Sequence, residues 1–291
     1  MSFTKMHGLG NDFILIDCLN QAVSYKLSAI SLLSKRLCDR RFGIGADQIL
    51  LLESSKKADF RMRIFNADGS EVEMCGNGIR CLAKYIWDRG LSKKNVLSIE
   101  TIAGIIRPEK KGRLVRVDMG EPVFEPAKIP VKILPPQPPL AKGGTGGGVN
   151  SSPVIDYPLK IEDKTFKITC VSMGNPHAVI VVDNVAGFPV TYYGPLIERH
   201  KLFPARTNVE FIEILNSSEI KMRVWERGSG ETMACGTGAS AAAVASGIKG
   251  LTGKNVTVRL AGGNLSVVWA GDNHVYMTGP AVEVFTGEIN I

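Results

Sequence analysis

No apolar run in this sequence approaches the ~18 residues that a membrane span requires, and the first residues, MSFTKMHGLGNDF, hold no charged segment leading into an apolar one. A membrane protein and an exported one are both disfavoured; a cytoplasmic protein is the expectation. There is no CxxC. Of the six cysteines the nearest two, Cys75 and Cys81, are separated by five residues with no second pair close by, which is not the spacing of zinc ligands, and no metal is expected. A chain of 291 residues does not need disulfides to hold its core, so the thiols are expected to be reduced. A basic stripe is missing as well. The formal charge of +7 is carried by scattered pairs, Lys56-Lys57, Lys93-Lys94 and Lys110-Lys111, without interleaved aromatics. That pattern speaks against nucleic acid and at most favours anionic small molecules.

What the sequence does contain, with a hydrophobic content of 44% that suits a soluble globular chain, is a copy of itself. VEMCGNGIRC (72–81) and TMACGTGASA (232–241) each set a cysteine before Gly-x-Gly, and Cys75 and Cys235 are 160 residues apart. The same shift superposes Glu53 on Glu213, Met62 on Met222, Arg63 on Arg223, Glu71 on Glu231, Gly90 on Gly250 and Lys94-Asn95-Val96 on Lys254-Asn255-Val256. Upstream, GNDFILI from Gly10 matches GNPHAVI from Gly174 at a shift of 164. One long repeat predicts two similar domains rather than a solenoid.

In each copy, short β-rich runs (FILID, QILLLE, AVIVVD, VEFIEI) are bounded by Gly, Asn and Asp, as strands are. Each copy also has one strong helix. IRCLAKYIWDRG sets Ile79, Leu82, Ala83 and Ile86 at helical spacing and ends at Gly90, a C-cap signal. ASAAAVASGIKG is small and apolar on nearly every side, so it belongs inside something. The expected fold is α+β: two pseudo-symmetric domains, each a curved sheet or barrel around a central helix. The first domain is assigned residues 1–121 plus 279–291, with the last strand returning to it, and the second residues 122–278. A Pro- then Gly-rich segment, 135–153, has no apolar period and reads as an insertion in the second domain.

A cysteine just before a helix meets unpaired N–H groups and roughly half a positive charge, so a lowered pKa is expected of both Cys75 and Cys235. The glycines that follow let backbone N–H groups approach a carboxylate. A single such cysteine would read as a buried, inert packing residue; two at equivalent points of a repeat do not. Pseudo-twofold packing would bring both helix starts to one cleft. A thiolate could then take a proton from one face of a carbon while a thiol delivers one to the other, inverting a stereocentre with no cofactor.

HGLGNDF (7–13), FGIGADQ (42–48), FNADGSEVEMCGNGIRC (65–81), MGNPHAV (173–179), RTNVEF (206–211), WERGSGETMACGTGASA (225–241) and MTGPA (277–281) resemble the diaminopimelate epimerase family, within the superfamily that includes proline racemase. Asn77 favours the epimerases, because proline racemases tend to carry histidine there. The 135–153 insertion departs from the family pattern. The resemblance implies that Cys75 and Cys235 are the acid/base pair and that Gly76, Asn77, Gly236 and Thr237 hold the carboxylate of the reacting centre. It implies that Asn11, Gln48, Asn66, Asn175, Asn208, Glu226 and Arg227 line the substrate pocket, and that His177 and Glu226 assist proton transfer. The residues themselves make sense of this, since a distal zwitterion needs the cation and acceptor that Arg227 and Glu226 supply side by side. Alternatives stand beside these roles. Asn11 and Asn175 adjoin glycines and could be turn residues, and His177 could be a structural histidine. Cys18, Cys38, Cys81 and Cys170 read as packing residues.

The sequence therefore leads to a cofactor-independent isomerase that interconverts LL- and meso-diaminopimelate, in lysine and cell-wall precursor biosynthesis. Its expected partners are a small amino-acid substrate and a second copy of itself, with no nucleic acid or membrane. The rivals are a proline or hydroxyproline racemase, whose compact substrate has no use for Glu226 and Arg227, and a thiol redox sensor switching through Cys75 and Cys235.

Overall fold

The runs of four consecutive buried residues in FILI and ILLL are longer than a half-exposed strand would carry, and the reason is that the sheet holding them is covered on both faces. The computed structural model describes residues 1–19, 27–132 and 152–290. The chain divides into two units, Met1–Met119 with Ala261–Ser266 and Tyr276–Ile291, and Gly120–Leu260 with Val267–Val275. This differs from the sequence boundaries in giving 261–266 and 276–278 to the first unit and 120–121 to the second. All of the 135–153 insertion except its last two residues lies outside the described residues.

In the first unit the elements are β1 (Ser2–Gly8), β2 (Asn11–Asp17), α1 (Leu27–Cys38), β3 (Gln48–Glu53), β4 (Phe60–Asn66), β5 (Glu71–Val72), α2 (Gly76–Asp88), β6 (Ile99–Thr101), β7 (Gly104–Ile106), β8 (Glu109–Lys111) and β9 (Leu114–Asp118). The second unit contributes β10 (Tyr157–Ile161), β11 (Lys164–Ser172), β12 (Pro176–Val181), α3 (Val190–Glu198), β13 (Asn208–Asn216), β14 (Glu219–Glu226), β15 (Gly230–Thr232), α4 (Gly236–Ile248) and β16 (Asn255–Leu260). After them come β17 (Gly263–Trp269), β18 (Val275–Gly279) and β19 (Val282–Glu288). In the first unit β19 pairs antiparallel with β1, and β9 is flanked by β8 and β18.

The repeat is visible strand by strand. In the first unit β2 runs parallel to β3, β3 antiparallel to β4, and β4 carries β5 antiparallel and β6 parallel. In the second, β12 runs parallel to β13, β13 antiparallel to β14, and β14 carries β15 antiparallel and β16 parallel. Even a side-chain pair recurs: Arg63 Nε donates to Glu71 Oε1 at 2.7 Å, and Arg223 Nε donates to Glu231 Oε1 at 2.7 Å.

Each strong helix lies against most of its own sheet, α2 on β1, β2, β3 and β4, and α4 on β11, β12, β13, β14 and β16. Both end at a glycine in the left-handed region, Gly90 at φ +67 and Gly250 at φ +69, as helix termination without a Cβ penalty requires. The opposite faces are covered by α1 and α3, which the sequence reading did not separate from loop. Ile30 and Leu37 of α1 pack with Ile14, Ile16, Ile49 and Phe65. Ile197 of α3 packs with Ile180, Phe203 and Phe211. The α3 sequence VTYYGPLIE hides a helix behind β-branched, aromatic, Gly and Pro residues. Its Gly194 is required by contact, because a Cβ there would lie 2.5 Å from Trp225 Cγ.

Candidate active site

Both cysteines are helix N-caps. Cys75 has extended backbone (φ −139, ψ 116) and its sulfur accepts from Gly78 N at 3.4 Å; Cys235 (φ −123, ψ 118) accepts from Gly238 N, also at 3.4 Å. A sulfur thus stands where a Ser or Asp oxygen ordinarily caps a helix, so an anion on it would meet the positive end of the dipole. Each unit carries one such arrangement, and the surroundings of the two differ.

In the first unit the Cys75 thiol donates to Asn11 Oδ1 at 3.7 Å, and Asn77 Nδ2 donates to the same oxygen at 3.2 Å. Asn11 is fixed from behind, where its Nδ2 donates to Asp47 Oδ2 at 2.9 Å and Asp47 is gripped by Arg40 at 2.7 Å. Arg40 also forks onto Asp12, whose other neighbour is the nearly buried Lys5. Burial acts to raise the Asp12 carboxyl, but the bonds from Arg40 and Lys5 outweigh it and hold the pKa at about 2. Gln48 Nε2 donates to Asn66 Oδ1 at 2.8 Å, and Gln48 Oε1 is buried with no partner among the described residues, an acceptor suited to an incoming N–H.

In the second unit His177 is fully buried, with Nδ1 2.7 Å from Glu210 Oε1 and Nε2 2.8 Å from Asn175 Oδ1. If Asn175 presents its oxygen to the ring, then its NH₂ is the end left for a ligand. Asn208 braces the loop after β14: its Nδ2 donates to Pro176 O and its Oδ1 accepts from Arg227 N, each at 2.9 Å. Glu226 accepts from the Thr232 hydroxyl and interacts with Cys235. Thr237 Oγ1 lies 3.5 Å from Cys235 Sγ.

The lowered pKa expected at both cysteines does not hold for Cys235. Burial pushes its thiol well up, and the carboxylates of Glu226 and Glu210 add to the shift; the Thr237 hydroxyl and Gly238 N–H oppose it without prevailing. Burial likewise raises the Glu226 carboxyl. The expected side-by-side pair of Glu226 and Arg227 is also corrected. Glu226, the last residue of β14, turns to Thr232 and Cys235, while the exposed Arg227 donates to Ala205 O at 3.1 Å. Consecutive residues at a strand end leave on opposite sides.

The diaminopimelate epimerase family model matches residues 3–125 and 169–284. The chain belongs to that family. It is 54% identical to a diaminopimelate epimerase of Moorella thermoacetica over 99% of both chains. To that of Acetivibrio thermocellus it is 50% identical over 100% of this chain and 99% of the relative, and to that of Methanococcus maripaludis 50% over the full length of both. Solved structures of similar fold include a PhzF-family phenazine biosynthesis protein of Bacillus anthracis (TM-score 0.70, 16% identity, 100% of this chain and 99% of that one). A hydroxyproline epimerase of Agrobacterium vitis is another (TM-score 0.66, 14% identity, 99% and 91%).

Within this epimerase family's frame, the first unit gathers Asn11, Cys75, Gly76 and Asn77 at one helix start and pairs Gln48 with Asn66 beside it. The second gathers Glu226, Cys235, Gly236 and Thr237, joins Asn175 to His177, and joins Asn208 to Arg227. The four remaining cysteines are free thiols. Burial pushes Cys18 and Cys38 to about 11 and Cys81 to about 12, and raises Cys170 as well, which suits packing residues. Among the described residues no group of three or more His, Cys, Asp or Glu side chains could hold a metal, and no helix is long and apolar enough to cross a membrane.

Sequence reasoning missed Glu210, Arg80, Asp47 and Glu198. Glu198, almost fully buried on α3, accepts from Trp225 Nε1 at 2.8 Å and Gly228 N at 3.1 Å, so it holds both ends of the turn carrying Glu226 and Arg227. The signal for Glu210 was present, an acid in the middle of the apolar run NVEFI, and so was that for Arg80, one turn from Gly76 on the apolar side of its helix.

Proposed function

We propose that this chain interconverts LL- and meso-diaminopimelate by a two-base mechanism in which Cys75 and Cys235 act on opposite faces of one α-carbon. The observation that carries the reading is the pair of sulfur-capped helix starts, alike in backbone and in N–H contact, in a member of this epimerase family. Cys75 as thiolate takes the α-proton of the LL isomer; the electron pair is left on the carbon, and the Cys235 thiol returns a proton to the other face. Cys75 ends as thiol and Cys235 as thiolate, and the reverse reaction restores them. The assignment of Cys75 to the LL side rests on the family resemblance.

The N–H groups at Gly76, Asn77, Gly236 and Thr237 hold the carboxylate of the reacting centre and stabilise charge delocalised into it. Asn11, Gln48, Asn66, Asn175, Asn208, Glu226 and Arg227 bind the rest of the substrate, the unpaired Gln48 Oε1 serving as an acceptor and Arg227 as the distal cation. His177 and Glu226 govern proton transfer at Cys235. No cofactor takes part, so activity persists in chelator and without pyridoxal absorbance. The enzyme works in the cytoplasm, in lysine and cell-wall precursor synthesis, as a homodimer. Support for the dimer comes from β19, at the end of its sheet order with Val284 and Phe285 exposed, and sedimentation tests it.

Exchange of the α-proton in D₂O, followed for LL- and meso-diaminopimelate, proline and hydroxyproline, tests the whole reading. Exchange with diaminopimelate alone is expected. Exchange confined to proline or hydroxyproline would move the chain to the racemases, and none with any of them would leave the thiol-sensor reading.

A further inference from the structure

Arg80 is fully buried, and every oxygen it touches is neutral. Its Nη2 donates to Asn77 Oδ1 at 2.8 Å, Nη1 to Gly76 O at 3.1 Å and Nε to Pro280 O at 3.2 Å, and Nη1 also lies 3.7 Å from Met277 Sδ. No carboxylate pairs with it among the described residues. A cation buried without a counter-charge is costly, and burial lowers the Arg80 pKa accordingly, the opposing influences being the sulfurs of Cys81 and Cys75. The helix does not demand the residue. At the repeat-equivalent position of α4 stands Ser240, whose hydroxyl donates back to Gly236 O at 3.0 Å, and a helix of the same 13 residues forms there. Gly8 keeps room for the guanidinium, since a Cβ there would lie 3.1 Å from Nη2.

We propose that Arg80 is a positioning residue of the first unit, its buried charge being the counter-ion for the anions handled at the α2 start and its Nη2 fixing the orientation of the Asn77 amide there. Those anions are the ionised sulfur of Cys75 and, resting on the function proposed above, the carboxylate of the reacting centre. With Asn77 Oδ1 taken by Arg80, Nδ2 is the end turned toward Asn11. Cys81, Asp47, Lys5, Asp12 and Glu73 do not supply the charge. Cys81 is kept neutral by burial, with a pKa up at about 12. Asp47 accepts from Asn11 and is paired with Arg40, while Lys5 of β1 and Asp12 of β2 are bonded to each other. Glu73, two residues before Cys75, is exposed.

The test uses the full chain with Arg80→Met, which replaces the cation by an apolar side chain of similar length, and Arg80→Lys, which keeps the charge without the fork. Alkylation of Cys75 by iodoacetamide is followed against pH without substrate, by peptide mapping, beside kcat, KM and Tm. In Arg80→Met the alkylation midpoint of Cys75 is expected to rise by about one pH unit, so that the rate near neutrality falls about tenfold. The value of kcat is expected to fall by at least as much, with Tm unchanged or higher. In Arg80→Lys the midpoint should return toward wild type while kcat stays low. Should the methionine variant not fold, Arg80→Gln is read in the same way. An unchanged Cys75 midpoint in the neutral variant, whatever happens to Tm, overturns the proposal and leaves Arg80 a packing residue. The alkylation measurement needs no amino acid, so wild-type inactivity toward diaminopimelate would sink the function while leaving this inference standing.

Discussion

Around Cys75 the buried ionisable side chain is that of Arg80, whereas around Cys235 stand the side chains of Glu210, Glu226 and His177. The positions correspond through the repeat. Leu50 stands where Glu210 does, Asn66 where Glu226 does, Asn77 where Thr237 does, Arg80 where Ser240 does and, at the longer shift, Phe13 where His177 does. Gly78 and Gly238 have the same neighbours in the two units: an added Cβ would meet Leu50 Cδ2 at 3.1 Å in the first and Glu210 Oε1 at 2.8 Å in the second. Backbone and capping geometry were therefore kept while the charges were exchanged. The two thiols therefore stand in different electrostatic surroundings, and the surroundings of a titratable group set how readily it gives up its proton.

The most severe way to break the comparison is to delete one sulfur. Cys75→Ala and Cys235→Ala are each expected to lower epimerisation by ~10³-fold or more. Residual α-proton exchange in D₂O should favour LL substrate in Cys235→Ala and meso substrate in Cys75→Ala. Near-normal turnover in either variant would refute the two-base mechanism, while the reverse exchange preference would only swap the sides.

Glu226→Asn gives the second unit the residue that the first has at Asn66. The kcat value should fall by ~10²-fold, and alkylation of Cys235 should shift to lower pH because one of the two acids raising its thiol is gone. An unshifted alkylation profile would mean that burial alone sets that thiol.

The matched glycines sharpen the contrast in stability. Gly238→Ala pushes a methyl against a fully buried carboxylate and is expected to cost ~1–3 kcal/mol with loss of activity. Gly78→Ala meets the flexible end of Leu50, and the helix-propensity gain of ~1 kcal/mol offsets much of that contact. Chemical denaturation of both variants measures the difference, and equal costs would argue against a distinct role for the Glu210 carboxylate.

The smallest effect concerns acid. Asp12 in the first unit is held down from 3.8 to about 2, so its contribution is present above pH 3.8 and lost as pH falls through about 2. Glu226 in the second unit is raised, so its contribution has the opposite sign and fades as pH rises through its folded value. Asp12→Asn should remove ~1–2 kcal/mol of the stability change between pH 4 and 2, allowing for the exposed Arg40 partner. Identical acid profiles for variant and wild type would dismiss that network as a source of stability.

Much of this was legible in the chain. The 160-residue shift shows on comparing the chain with itself, while the Gly-x-Gly after each cysteine and the glycines closing both helices are local patterns, and local patterns decide where a helix begins, what caps it and where it stops. So Cys75 and Cys235 could be set at helix starts, and Asn11 and Asn175 at equivalent turns, without coordinates. Helices α1 and α3 were not legible, since α3 has a poor helix sequence and forms because its apolar side chains close the outer face of β13 and β14.

Sequence by itself determined the duplication, which shows as one motif recurring 160 residues on, and the one strong helix of each copy with the residues at its start, which follow from the spacing of residues close together in the chain. Tertiary structure alone decided that Arg80 lies buried among neutral oxygens, that Glu210 reaches from β13 to His177 and Gly238, and that the Cys235 thiol is pushed up rather than down. A buried charge takes its energy from what is packed around it, and some of those neighbours, Pro280 at Arg80 and His177 at Glu210, lie far away in sequence.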